Sequence, residues 1–334
     1  MLQLGQTDNR PYIHRQSAFT TPEGTIAKGK ITDSQVLTER LKKARLKHRW
    51  HNNRVNLVLS SQVVYLRPII LPPMTTQELA KAMRWEAEKH LPFPTDKAVY
   101  SYTCTGEKLL ENKPSLEYLL AAVPKEIADT LAEVAVRAGY NPVGIEIAPV
   151  ALYRSLRQNG ITNNRVLAEP MLILEIGHEC TNLLVLQNGH YQFHRHLNMG
   201  IGHFYDALLS GSVPDYEAAQ RRLFGKGLQA GDELTQAVSE LTRKIDQSLD
   251  YWTYQPGFAE SKCREIAICG GGASIPGLTE FLGEKLHMKV KLYNPLPSVN
   301  GGINHQAPDA EIDAAKQGAL YSVAHGLALR GWLR

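Results

Sequence analysis

Three consecutive glycines, Gly270, Gly271 and Gly272, follow directly on the apolar segment Ile266-Ala267-Ile268-Cys269, and a helical pattern from Pro276 to Leu286 follows them. Each glycine loses more backbone freedom on folding than any other residue. A turn that merely redirected the chain would not require three. Backbone without Cβ can lie flat against a nucleoside and its phosphates, and a helix N-terminus just beyond favours an anion. The competing reading is a strained strand-to-helix turn.

A second segment, Leu174-Glu175-Ile176-Gly177-His178-Glu179-Cys180-Thr181, reads as a strand, a tight turn and the start of a return strand. Backbone N–H groups around Gly177 and His178 can approach a phosphate closely. Thr181 can add a hydroxyl donor, and Glu175 at the strand end can hold a metal-bound water. The plain alternative is a hairpin with a polar tip. With Gly200 and Ser274, these residues and Gly270, Gly271 and Gly272 form the set of candidate nucleotide-binding residues. The order of the two motifs, one at the start of the second half and one after a helical insertion, resembles the plan of the actin, Hsp70 and hexokinase ATPase fold. The two turns are expected to face each other across a gap between two lobes, one ancestral half having been copied.

The rest of the chain suits such an α/β architecture. Its 334 residues exceed one ordinary core. Strand patterns recur at 54–59, 63–71, 99–104, 117–123, 143–147, 172–177, 181–186, 191–197, 265–269 and 290–292, with helical spacing at 34–50, 75–91, 125–138, 149–156, through most of 201–254, and at 276–286 and 314–329. Thr75 and Glu78 have capping-box spacing, Pro68 suggests an edge strand, Asn188-Gly189 a hairpin turn, and Gly139 a helix C-terminus. The four cysteines form no CxxC pair, and the net charge of +4 does not demand a nucleic-acid partner. With neither a signal-peptide pattern nor a run of roughly 18 apolar residues, a cytoplasmic protein is expected.

Other clusters carry two readings each. His190, His194 and His196 alternate along one strand; a metal site is conceivable, and a polar strand face is the ordinary outcome, so no metal site is assigned to the protein alone. Trp85 and Phe93 are either a partner-binding surface or, for Trp85, part of the core beside Leu79, Ala82, Met83 and Ala87. Lys42, Lys43, Arg45, Lys47, His48 and Arg49 form either a solvated helix face or a contact to the acidic inner leaflet.

Several stretches resemble the PilM family of actin-like type IV pilus assembly proteins, which share the FtsA-like layout. They are Trp85-Glu86-Ala87-Glu88-Lys89-His90-Leu91-Pro92-Phe93-Pro94, Leu120-Ala121-Ala122-Val123-Pro124-Lys125, Glu146 to Arg154, the glycine motif with Asn294-Pro295-Leu296, and Ala324 to Gly331. The resemblance implies a two-lobed actin/Hsp70-like ATPase fold with an FtsA-type inserted 1C subdomain. It places subdomain 1A at 1–74, 1C at 75–143, a return to 1A at 144–165, 2A at 166–200, 2B at 201–259, 2A again at 260–300, and a linker and closing helix on 1A at 301–334.

It further implies a cytoplasmic component of the pilus platform, peripheral to the inner membrane through its partners. Those partners would be the cytoplasmic N-terminal peptide of PilN, other platform proteins and further copies of itself. ATP with Mg is the implied cofactor, with Glu175 a candidate contact to the Mg. Glu175 stands where the family usually has Asp, and the extra methylene moves the carboxylate by about 1.5 Å. Binding with little or no hydrolysis is therefore expected. The family's first phosphate hairpin has no counterpart at Met1-Leu2-Gln3-Leu4-Gly5, so either the start lies upstream or half of the clamp is lost. The alternatives are an FtsA-like division protein, disfavoured by the absence of a long C-terminal tail, and an active ATPase or sugar kinase of the same fold.

Overall fold

The computed structural model describes residues 1–330 except 8–9, 49, 51–52, 111–112, 160–168, 212, 256–257, 259–260 and 297–317. The chain divides into two compact units, residues 19–147 and residues 1–18 with 148–334. Residues 1–18 thus group with the second half of the sequence rather than with the segment that follows them.

The second unit is organised by a five-stranded sheet. Strands β10 (Met171–Ile176), β11 (Thr181–Gln187) and β12 (His190–Leu197) form an antiparallel meander, and β13 (Glu265–Cys269) and β14 (Lys289–Leu292) add in parallel, giving the order β12-β11-β10-β13-β14. The β11–β12 turn places Asn188 at φ +52° and Gly189 at φ +75°, the positive pair that an Asn-Gly hairpin turn supplies. Between β12 and β13 run α5 (Ile201–Ser210), α6 (Tyr216–Gly225) and α7 (Glu233–Thr253), and α8 (Leu278–Leu286) joins β13 to β14. Asp215 and Asp232 cap α6 and α7. The sheet's apolar residues and those of α5, α7 and α8 form one continuous core, with Leu172, Ile173, Leu174, Leu183 and Leu184 inaccessible to solvent.

Two further helices of this unit, α4 (Ala148–Gln158) and α9 (Ser322–Ala328), pack closely. Gly326 lies against the Ala151 carbonyl, and Arg154 Nη1 donates to the Gly326 carbonyl at 2.9 Å. Beneath them Ser155 Oγ hydrogen-bonds Tyr293 Oη at 2.8 Å and His325 Nδ1 at 2.9 Å. Strands β1 (Leu2–Thr7) and β2 (Arg10–Gln16), not anticipated from the sequence, pair antiparallel. Their weakly alternating polar residues carry little strand signal.

The unit of residues 19–147 has smaller sheets. Strands β3 (Ile26–Ala27) and β4 (Lys30–Ile31) form a hairpin, and β5 (Arg54–Leu59) pairs in parallel with β9 (Asn141–Ile147). Helices α1 (Ser34–Lys47) and α3 (Lys125–Arg137) pack together. Asp33 caps α1 by accepting from Gln35 N–H at 3.0 Å and Val36 N–H at 2.9 Å. Gly139 ends α3 at φ +88°. Strands β6 (Tyr65–Leu71), β7 (Ala98–Leu110) and β8 (Lys113–Pro124) form an antiparallel sheet in the order β6-β8-β7. Pro68 sits on the edge strand β6, where the lost N–H breaks no central ladder. Helix α2 (Thr76–His90) opens with the capping box: Thr75 N–H donates to Glu78 Oε2 at 2.9 Å, and Glu78 N–H to Thr75 Oγ1 at 3.4 Å.

Two expectations are corrected here. Trp85 is not core: it is 59% exposed, while Met83 and Ala87 of the same helix are fully buried against Ile69, Tyr118 and Leu120. The three histidines do not share one face. A bulge in β12 pairs His190 with Gln187 and His194 with Leu184, positions of opposite parity on β11. No cluster that could hold a metal is found among the described residues.

Candidate functional site

The two glycine motifs meet at one edge of the five-stranded sheet. Because β10 and β13 are parallel neighbours, with Glu175 opposite Cys269, both strands end at the same edge. The turns therefore touch within a single unit and do not face each other across a gap, contrary to the sequence expectation. Gly270 adopts φ +83°, and a Cβ there would stand 2.6 Å from the Ile176 carbonyl oxygen. A Cβ on Gly272 would overlap the Ile176 side chain. Gly270 N–H donates to the Ala319 carbonyl at 3.0 Å, tying the turn to the chain just before α9. Gly271 differs from its neighbours: an added Cβ would meet only two side chains, Ile201 Cδ1 at 3.1 Å and Leu320 Cδ1 at 3.8 Å. Ser274 closes the short 3₁₀ turn Gly271–Ser274 and is partly exposed.

The β10–β11 hairpin is closed by Gly177 N–H donating to the Cys180 carbonyl at 2.9 Å. Its tip carries the exposed His178 ring, 6.0 Å from that of Tyr205, and the partly exposed Glu179. The outward carbonyls of the hairpin receive the first turn of α5: Ile201 N–H donates to Gly177 O at 3.0 Å and Gly202 N–H to His178 O at 2.8 Å. Orphan donors at that helix start are thus satisfied by the hairpin. The contact requires Gly200, whose Cβ would stand 2.6 Å from the carbonyl oxygens of both Gly177 and His178. Gly200 is buried by this packing, and its place is that of a spacer between hairpin and helix.

Thr181 is also turned inward. It is fully buried, and its hydroxyl donates to the Met199 carbonyl at 2.8 Å, so it presents no hydroxyl at the surface. Glu175 lies inside a polar chain. Asn182 Nδ2 donates to Glu175 Oε2 at 2.7 Å, and Asn182 Oδ1 lies 3.3 Å from His194 Nε2. Burial raises the Glu175 pKa, with the Asn182 bond opposing it. Burial also pushes His194 down to about 3, so a neutral imidazole can donate to Asn182 Oδ1. The Cys269 thiol is held far above its ordinary value by burial first and by the neighbouring Glu175 second, against a hydrogen bond with Ser322. The sequence reading missed Asn182 and Ile176. A lone Asn inside the apolar strand Thr181–Gln187 is the signal that marks the first. Nothing local marks the second, because its role is to be the floor on which a distant turn rests.

Trp85 and Phe93 lie in the other unit. Lys89 Nζ sits 4.9 Å from the centre of the exposed Trp85 ring, and Phe93 is half-buried.

A three-strand meander extended by two parallel strands, helices inserted after the meander, and a glycine turn on the next strand define the actin-like ATPase fold. Solved structures agree. Ethanolamine utilization protein EutJ from Carboxydothermus hydrogenoformans matches with a TM-score of 0.51 at 14% identity, covering 92% of this chain and 78% of its own. A PilM-PilN type IV pilus biogenesis complex matches with a TM-score of 0.84 at 26% identity, covering 99% of this chain and 94% of that one. The sequence matches the family described as type IV pilus assembly protein PilM over residues 1–332. The chain belongs to that family, which selects pilus assembly over the division-protein alternative. Comparison with curated protein sequences gives no significant match.

Proposed function

We propose that this chain is the actin-like part of a type IV pilus assembly platform at the inner membrane, and that it captures the cytoplasmic N-terminal peptide of a PilN partner. The observation that carries this is the similarity, over 99% of the chain at a TM-score of 0.84, to a PilM that forms a complex with PilN. No described helix is long and apolar enough to cross a membrane, and binding the PilN peptide would tether the chain to the platform. Trp85 is the candidate anchor: a large ring left 59% exposed on a capped helix offers apolar area at little entropic cost. Titration of the protein with a synthetic PilN tail peptide tests this. Saturable binding supports the reading, and a flat titration with a folded protein overturns it.

A nucleotide, the implied cofactor, is assigned to the sheet edge. The outer ends of parallel strands are where α/β sheets bind ligands. Gly271 is partly exposed there, bordered by the side-chain ends of Ile201 and Leu320, which can shift for a nucleoside, and His178 and Glu179 are the exposed and partly exposed residues of the hairpin that a phosphate can approach. Gly177, Gly270 and Gly272 shape this edge rather than line it. Glu175 has Oε2 engaged by Asn182 and a pKa raised by burial, both of which disfavour its holding a metal-bound water for hydrolysis. Equilibrium dialysis against labelled ATP, with and without magnesium, tests the assignment.

A further inference from the structure

Helix α1 concentrates the positive charge of the chain. Its residues 34–47 hold five basic side chains and one acidic one, a formal +4, equal to the excess of all 334 residues. The five basic groups divide by where they point. Arg40 lies over the Phe19 ring at 5.4 Å and Arg45 over the Tyr140 ring at 5.7 Å, each with a buried Nε. Lys42 pairs with Glu39 at 2.8 Å. Lys43 and Lys47 are exposed and make no ion pair among the described residues, although Lys43 lies near enough to act on Glu39. At i+3 from Lys43 and i+4 from Lys42, on one helix side, stands Leu46, a leucine 75% exposed. Helix α3, packed beside α1, adds the exposed Arg137, which pairs loosely with Glu133 at 3.5 Å and is close enough to act on Glu39, and Val136, 58% exposed.

We infer that this face of α1 rests on an anionic lipid bilayer, with Leu46 entering the acyl boundary and Lys42, Lys43, Lys47 and Arg137 reaching headgroup phosphates. An exposed leucine ringed by lysines suits an interface where apolar stems lie in hydrocarbon and ammonium groups stay wet. A nucleic acid fits less well. Both arginines of the helix, the side chains suited to bidentate phosphate contact, are folded onto protein rings, and the exposed α1 residues include no aromatic on which a base would stack. Charges of this number give weak, salt-sensitive binding, and a second tether at the same membrane multiplies it.

The test is sedimentation of the full chain with vesicles of equal parts phosphatidylglycerol and phosphatidylcholine, against pure phosphatidylcholine. Binding to the acidic vesicles alone, falling steeply with added salt, is expected. Lys43→Glu with Lys47→Glu should weaken it by roughly tenfold or more, and Leu46→Ser by roughly fivefold. Lys43→Gln with Lys47→Gln is the milder pair should the reversal impair folding, and thermal melts report folding of every variant. Absence of binding to acidic vesicles, equal binding to both vesicle types, or unchanged binding by folded lysine variants overturns the proposal. So does displacement from vesicles by an equimolar amount of oligothymidylate.

Discussion

The carbonyl oxygen of Ile176 lies 2.6 Å from the point that a Cβ on Gly270 would occupy, and Gly270 itself has φ +83°. Gly270→Ala therefore meets a backbone wall in a conformation that L-residues avoid. We expect a loss of about 3 kcal/mol or more, read as a lower urea midpoint. Gly24→Ala is the control, with φ +74° and open space around it; it should cost only about 1 kcal/mol.

Gly271 separates ligand binding from folding. Its Cβ would touch only flexible side-chain ends, so Gly271→Ala should change stability by less than about 1 kcal/mol. If the glycine face holds a nucleoside, the same substitution should weaken nucleotide binding by roughly tenfold. Dialysis and denaturation on one sample check both halves.

Gly326 sets the distance between α4 and α9. A Cβ there would overlap the Ala151 carbonyl, which is backbone and cannot swing away. Gly326→Ala should cost about 3 kcal/mol or more and break the Arg154 bond to the Gly326 carbonyl. A large drop in the midpoint of thermal unfolding is the expected readout.

Stability should fall as pH drops below the ordinary histidine range. Burial lowers His325 to about 4 and His194 to about 3. Between those values and about 6.5 the unfolded chain takes up protons that the folded chain refuses, so acid favours unfolding. Each histidine contributes a slope of at most about 1.4 kcal/mol per pH unit, flattening below its folded pKa. Glu175 acts oppositely: its raised pKa lets the folded state keep a proton the unfolded state has lost, and this contribution fades as pH rises. Urea midpoints at pH 7 and pH 5 should show a loss on acidification that His325→Asn reduces. Glu175→Gln should remove the opposing component.

Trp85 should matter for binding and not for folding. Its ring is 59% exposed and contacts Lys89 by a cation–π arrangement. Trp85→Ala should leave stability within about 1 kcal/mol and weaken PilN peptide binding by roughly tenfold or more. Calorimetric titration of the two proteins, with their melting curves, decides it.

Much of this is visible in local chemistry. Asp33, Thr75 with Glu78, Gly139 and Asn188-Gly189 each mark an element boundary through a bond or a dihedral that their own side chain, or its absence, dictates. The Trp85 face was not legible in this way. An apolar residue two positions from Met83 lies about 200° further round the helix, and periodicity does not say which side meets Ile69, Tyr118 and Leu120. The histidine face was lost to a single bulged residue in β12.

By itself, the sequence determined the family, the alternating α/β plan, and the existence of two glycine turns, because these rest on residue identity and near-neighbour spacing. Only the tertiary structure decided that the turns touch, that Gly200 spaces a helix from a hairpin, and that Thr181 and Glu175 are turned inward to Met199 and Asn182. The physical reason is strand pairing: the parallel ladder of β10 with β13 joins segments separated by three helices and brings the turns together, while the antiparallel meander sets Asn182 opposite Glu175 and seats Thr181 beside the chain that follows β12.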